Sequence, residues 1–301
     1  MSDVIVTEDL GHAYGDHVAL HHVSVTITEG RIGLVGANGA GKTTLIRILL
    51  GILHPTVGTA TVFGDSPHHD PIAVRSRVGY MPEVDCLPVA QTAADFMVYA
   101  AELAGIPPRA ARQRASDVLT LVGLDEERFR PLGGFSTGMK QRAKLAQAIV
   151  HDPDLVLLDE PTAGLDPAGR DEMLDLIARL GDFGINVITS SHLLSDIERT
   201  CDWVVMLEQG SVLRQGPLRT LLASDTVEVE VFEDPEPLIE RLAMAGAAVI
   251  RDGHRLTVSV PDGDVSDVIR DAVVATGFGI RRMGTRAQTL EDVFLTPGER
   301  P

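Results

Sequence analysis

The sequence predicts an α/β fold followed by a small α+β domain, and three stretches carry that expectation. Residues 31–50 read as a buried strand, a glycine-rich turn and a packed helix. Leu155–Asp159 is a short apolar run ending in two adjacent carboxylates, Asp159 and Glu160, the pattern of a buried parallel strand that delivers acids at its C-terminal end. Near residue 221 the pattern changes to short alternating strands and helices in the order βαββαβ, a ferredoxin-like signature. The expected division is 1–220 and 221–301, with a helical subdomain at about 84–150.

The first stretch holds the chemistry. Gly36, Ala37, Asn38, Gly39, Ala40, Gly41, Lys42 and Thr43 fit the phosphate-binding loop GxxxxGK[ST] at every defined position, and Thr44 continues the helix that the loop opens. The glycines let backbone N–H groups turn inward on phosphate oxygens, and the helix N-terminus adds partial positive charge. Lys42 is placed to bridge the terminal phosphates of a nucleoside triphosphate, and the Thr43 hydroxyl to ligate Mg²⁺.

In chain order, 4–10 and 18–28 alternate apolar and polar residues and predict half-buried antiparallel strands, with a turn over His12–Asp16. The helix after the loop is expected to run to Leu53 and stop before Pro55. A strand over 58–63 leads to a polar loop with His68 and His69, read as solvated. Val78–Glu83 reads as a strand ending at Pro82, and 92–103 and 108–122 as two helices. The small-residue turn Gly133–Gly138 feeds a helix from Met139 to Val150 that begins with Lys140, Arg142 and Lys144. Cations there oppose the helix dipole, which suggests an anion at that end, or simply a solvated face. A helix at 168–180, a strand at 185–189 and a hairpin about Gln209-Gly210 complete the first domain. In the second, Asp252-Gly253 marks another hairpin.

The totals exclude several classes. With 44% apolar residues the chain can bury a core. A net charge of −17 and a pI near 4.9 disfavour nucleic acid and anionic lipid as partners. Cys86 and Cys201 lie far apart without a CxxC, which suits a reducing cytoplasm better than a disulfide framework or zinc site. No signal peptide is expected, and no apolar run reaches the roughly 18 residues of a spanning helix.

Together the motifs resemble ATP-binding cassette (ABC) ATPases over residues 4–216. Ser136-Thr137-Gly138-Met139 stands where that family has its signature, Pro161–Asp166 resembles its D-loop, His192 its switch histidine, and Tyr14 the aromatic that stacks on adenine. The resemblance implies that Asp159 holds Mg²⁺ through water, that Glu160 polarises the attacking water and that His192 senses the γ-phosphate. It also implies a head-to-tail dimer, expected to be a homodimer, with each ATP between the Lys42 loop of one copy and Ser136 and Gly138 of the other. The blander readings are a helix-capping acid for Glu160, a polar cap for His192 beside Ser190 and Ser191, and plain packing for Tyr14.

Phe135–Arg142 and the ending Leu290–Leu295 resemble drug- and antibiotic-type exporter subunits. That resemblance implies an ATPase at the inner face of the cell membrane, working with a separate permease that docks on 85–99. A non-transport ABC ATPase in a cytoplasmic complex is the alternative, and a binding module centred on 221–301 a third. Thr137 and Met139 depart from the family's glycine and glutamine. Glu83 replaces a glutamine and is a candidate Mg²⁺ ligand, expected to slow turnover or raise its Mg²⁺ requirement.

Overall fold

The computed structural model describes residues 3–222, 226–260, 264–285 and 289–295. The chain divides into two compact units, within 1–218 and 219–297.

The first unit begins with an antiparallel sheet in the order β2-β1-β4, formed by β1 (Ile5–Tyr14), β2 (His17–Ile27) and β4 (Val57–Val62). The turn expected over His12–Asp16 is shorter, because β1 stays paired with β2 as far as Tyr14↔His17. Only Gly15-Asp16 reverses the chain, with Gly15 at φ +60°.

The core sheet has the order β5-β6-β7-β3-β8-β9. Its members are β3 (Arg31–Val35), β5 (Val78–Met81), β6 (Leu155–Asp159), β7 (Asn186–Ser191), β8 (Trp203–Glu208) and β9 (Ser211–Pro217). All neighbours are parallel except β9, which returns from β8 as a hairpin. Every residue of β6 is buried, as its unbroken apolar run requires. Each such Leu or Val contributes about 1.5–3 kcal/mol on leaving water.

Helix α1 (Lys42–Leu49) follows the glycine loop. It ends four residues before the expected Leu53, because Gly51 at φ +65° reverses the backbone before Pro55 can act. The short helix α2 (Pro71–Arg77), capped by Asp70, was not expected.

A helical group follows: α3 (Ala93–Leu103), α4 (Pro108–Leu121) and α5 (Thr137–Ile149). Thr92 caps α3 by accepting the Asp95 N–H at 3.1 Å, and Ser136 caps α5 by accepting that of Met139 at 3.3 Å. Their shared core includes Met97, Ala101, Ala115, Leu119, Leu132 and Leu145, joined by the far face of β6 through Val156 and Leu158. Helix α6 (Pro167–Asp182), with Asp166 at its N-cap, and the unexpected helix α7 (Leu194–Thr200) flank β7 in sequence. The short α8 (Leu218–Leu221) spans the point where the chain divides.

The second unit contains β10 (Thr226–Val231), α9 (Glu236–Met244), β11 (Ala248–Asp252), β12 (Arg255–Ser259), α10 (Val265–Thr276) and β13 (Ile280–Thr285), then α11 (Leu290–Leu295). The sheet order β11-β12-β10-β13, wholly antiparallel, is the ferredoxin-like arrangement expected from the βαββαβ pattern. Val227, Val229 and Val231 all face its core, as strict alternation demands. The end of the expected domain, 296–301, lies outside the described residues.

Candidate active site

Strand order builds the site. Because β7 lies between β3 and β6, the loop after β3, the acids at the end of β6 and the serines and histidine at the end of β7 meet at one edge of the sheet. That edge opens on a cleft of about 340 Å³ lined by 37–44 of the glycine loop, Tyr14, Glu83, Asp159, Glu160 and His192. Ligands enter open α/β sheets at this C-terminal end.

The loop's glycines are there for space as well as for conformation. Gly39 and Gly41 have φ of +82° and +102°, and a Cβ on Gly36 would stand 2.4 Å from the Leu207 carbonyl oxygen. Lys42 is only 7% exposed; its Nζ donates to the Gly36 carbonyl at 2.7 Å and lies 3.6 Å from Glu160 Oε1.

Thr43 Oγ1 donates to Asp159 Oδ2 at 3.0 Å, and Ser190 Oγ donates to Asp159 Oδ1 at 2.6 Å. Both carboxylate oxygens are thus engaged in a group that is 1% exposed. Glu160 has φ +50°, a strained conformation for a non-glycine residue. Its N–H is held between the Ser190 carbonyl and hydroxyl, at 3.2 and 3.1 Å. Glu160 Oε2 accepts a hydrogen bond from His192 Nδ1 at 2.8 Å, while buried Oε1 accepts none from a described residue. One lone-pair face of a buried carboxylate therefore remains for a substrate proton, beside a fixed cation.

Tyr14 is 44% exposed on the cleft rim and meets His12 edge-on, with ring centroids 4.6 Å apart. Its free face suits an aromatic base. Tyr80, on the strand leading to Glu83, has its hydroxyl pKa pushed up to about 12, first by burial and then by the Asp159 charge, so it stays protonated.

Ser136 and Gly138 do not line this cleft. Ser136 caps the start of α5, and Gly138 and Thr137 lie against the 161–166 turn, where a Cβ on Gly138 would meet Leu165 at 3.8 Å and one on Gly164 would meet Thr137 at 3.4 Å. Gln141 Nε2 adds a bond to the Ala163 carbonyl at 3.0 Å.

The cations of α5 need correction. Each is engaged by groups within the chain, so they do not form a freely solvated face. Lys140 pairs with Asp85 at 2.8 Å and Arg142 with Glu172 at 3.4 Å. Lys144, 3% exposed, donates to the Pro82 and Glu83 carbonyls at 2.7 and 2.9 Å. Desolvation pulls its pKa below the usual lysine value.

Two residues escape a reading of the sequence. Ser190 braces both acids, whereas a helix cap is its commoner role; its neighbour Ser191 does accept the Leu193 N–H, at 3.0 Å. Asp196, 1% exposed, accepts from Thr162 Oγ1 at 2.8 Å and Arg170 Nε at 2.6 Å, tying the 161–166 turn to α7. The only sequence signal for either is a polar residue inside an apolar pattern.

A family profile described as "ABC transporter" matches residues 20–163. The bacitracin transport ATP-binding protein BcrA of Bacillus licheniformis is 40% identical over 219 residues, 72% of this chain and 71% of the relative. The Nod factor export ATP-binding protein I of Burkholderia orbicola (strain AU 1054) is 32% identical over 287 residues, 94% of this chain and 92% of the relative. A solved structure titled "Structure of ATP binding subunit of ABC transporter" aligns with a TM-score of 0.65 at 28% identity, over 72% of this chain and 91% of that one. Among the described residues no helix is long and apolar enough to cross a membrane.

Proposed function

Because this chain belongs to the family of ABC transporter ATP-binding proteins, an ATPase family, we propose that it powers an exporter, closing as a homodimer on two ATPs and moving a separate membrane permease. The observation that carries the proposal is a division of labour in the fold. Lys42, Thr43, Asp159, Glu160 and His192 converge on one cleft, while Ser136 and Gly138 stand outside it. A second copy, arranged head to tail, supplies the missing donors to the terminal phosphate.

In this reading Lys42 leaves the Gly36 carbonyl for the β- and γ-phosphates, and the N–H groups of 37–43 cradle them. Tyr14 stacks on the base. Glu160 Oε1 takes the proton of the attacking water, oriented by His192, which reports the γ-phosphate through the same bond. The Thr43 hydroxyl, the Glu83 carboxylate and, through water, Asp159 form an all-oxygen donor set suited to Mg²⁺. Mg²⁺ held there would supply charge neutralisation at the phosphates.

Export, rather than another use of the cassette, is supported by the relatives named for bacitracin transport and Nod factor export. Val84, Val89 and Tyr99, each more than half exposed, give the 85–99 segment and its margin an apolar surface for the permease at the inner face of the membrane. The second unit is assigned to regulation or partner contact.

The test is purified protein with Mg²⁺ and ATP. Hydrolysis is expected, and Glu160→Gln should bind ATP and dimerise without cleaving it. A wild-type chain that stays monomeric with ATP and releases no phosphate would end this reading.

A further inference from the structure

We propose that Lys144 is a positioning residue for the active site, gripping the backbone of Pro82 and Glu83 from helix α5 so that the Glu83 side chain stays on the cleft wall. The inference rests on the assignment of Glu83 to the Mg²⁺ side of the site.

Strand β5 ends at Met81. Among the described residues, 82–86 make no backbone–backbone hydrogen bond, so nothing in the ladder or a turn fixes where Glu83 points. Side chains from α5 do that instead. Lys144 Nζ reaches both the Pro82 and Glu83 carbonyls, and Lys140, one turn earlier, reaches Asp85. Leu87 N–H then closes on Asp85 Oδ1 at 3.3 Å.

The residue type is informative. Only three of the 26 basic residues are lysines: Lys42 in the phosphate loop, Lys140 and Lys144. A chain that otherwise uses arginine keeps an ammonium at a place where one atom must donate to two successive carbonyls. A guanidinium can hold two successive carbonyls, as Arg114 holds those of Ile149 and Val150, but only through two nitrogens of a larger planar head, whereas Lys144 does so through one compact atom in a buried site. Burying an ammonium is costly, and an apolar side chain would fill the same space without that cost. The bonds to 82–83 are what the charge gains. Since Ser136 caps α5, the same helix connects the donors offered to a second copy with the wall of its own cleft.

The experiment titrates a fluorescent ATP analogue into the full-length Glu160→Gln protein, with Mg²⁺ and with EDTA. Lys144→Met should cut the Mg²⁺-dependent gain in affinity about tenfold, the scale of lost hydrogen bonds to a charged group, and change the EDTA affinity by less than about twofold. Lys144→Arg should recover little of the loss. In a Glu83→Ala background Lys144→Met should have no further effect, which a general loosening of the fold would not reproduce. If Lys144→Met does not fold, Lys144→Gln, which keeps one donor, should show an intermediate loss. An undiminished Mg²⁺ gain in either variant, or an equal loss with and without Glu83, overturns the proposal. Absence of ATP binding by the parent would instead remove the ATPase reading beneath it.

Discussion

Ser190 Oγ donates to Asp159 Oδ1 at 2.6 Å and, through the same oxygen, accepts the Glu160 N–H at 3.1 Å. One hydroxyl on β7 therefore fixes the acid proposed to face Mg²⁺ and the backbone of the proposed general base, which is held at φ +50°. Ser190→Ala leaves a buried carboxylate oxygen short of a donor, a loss of about 1–3 kcal/mol. We expect lower stability in urea and a fall in ATP turnover of about tenfold or more, with Ser190→Thr retaining most of both. Unchanged turnover in the alanine variant would show that the acids hold their geometry without the brace.

Glu160→Gln tests the base itself. The amide keeps the size of the side chain and removes the basic oxygen, so hydrolysis should fall about 10²–10⁴-fold, the usual contribution of a positioned base. Nucleotide affinity should be kept, because Lys42 and the loop N–H groups are intact. His192→Ala, which removes the bond to Oε2, should produce a smaller loss of turnover at similar affinity. Phosphate release and equilibrium titration on the two variants separate these effects.

Much of this site is legible in the sequence because each motif is local. The glycine loop, the acid-ended strand and the signature turn each specify a strand end or a helix start within a few residues. What the sequence conceals is spatial order. Nothing in residues 186–191 says that their strand inserts between β3 and β6, and it is this insertion that places Ser190 beside Asp159 and His192 beside Glu160. The partners of Lys140 and Lys144 are hidden for the same reason, lying 55 and about 61 residues away in sequence. Helices α2 and α7, seven residues each, are too short for a 3.6-residue period to declare itself. Helix α1 stops short of the expected Leu53 because a left-handed Gly51 ends it before Pro55, the stop signal the sequence shows, can act.

The two thiols should differ in reactivity. Cys201 is buried, and desolvation pushes its pKa up to about 12. Cys86 is exposed by surface area, yet its pKa is also raised, chiefly by desolvation. A raised thiol pKa means less thiolate at a given pH. Iodoacetamide at pH 8 should therefore modify Cys86 more slowly than a free thiol, faster as pH rises, and Cys201 only after unfolding. Mass mapping of a time course reads this directly.

Asp196 is a stability prediction with a functional consequence. Its buried carboxylate receives Thr162 and Arg170 and so ties the turn that follows Glu160 to α7. Asp196→Ala removes the acceptor of both, and because Arg170 stays partly exposed and keeps its bond to Ser195 Oγ, the cost in urea unfolding should be about 1–3 kcal/mol. Asp196→Asn, which still accepts hydrogen bonds, should cost less. Thr162→Val should cost only about 1 kcal/mol, since the ion pair survives.

The spacing of β5 and α5 gives the sharpest test of packing. A Cβ on Gly79 would lie 1.9 Å from the Ala148 carbonyl oxygen and 3.2 Å from Pro153 Cγ, so helix and strand approach backbone to backbone there. Neither the Ala148 carbonyl nor the Pro153 ring is a flexible side-chain end that could swing aside. Gly79→Ala must push α5 away from the sheet, and overpacking of this kind costs about 1–3 kcal/mol or more. The displacement falls on the helix that carries Lys144, so the grip on Pro82 and Glu83 should loosen along with global stability. Gly134→Ala is the control: its added Cβ meets nothing within 4 Å, and its φ is not left-handed. It should leave the urea midpoint within about 0.5 kcal/mol of wild type. Equal midpoints for the two variants would mean that the strand and helix separate more easily than their contact implies.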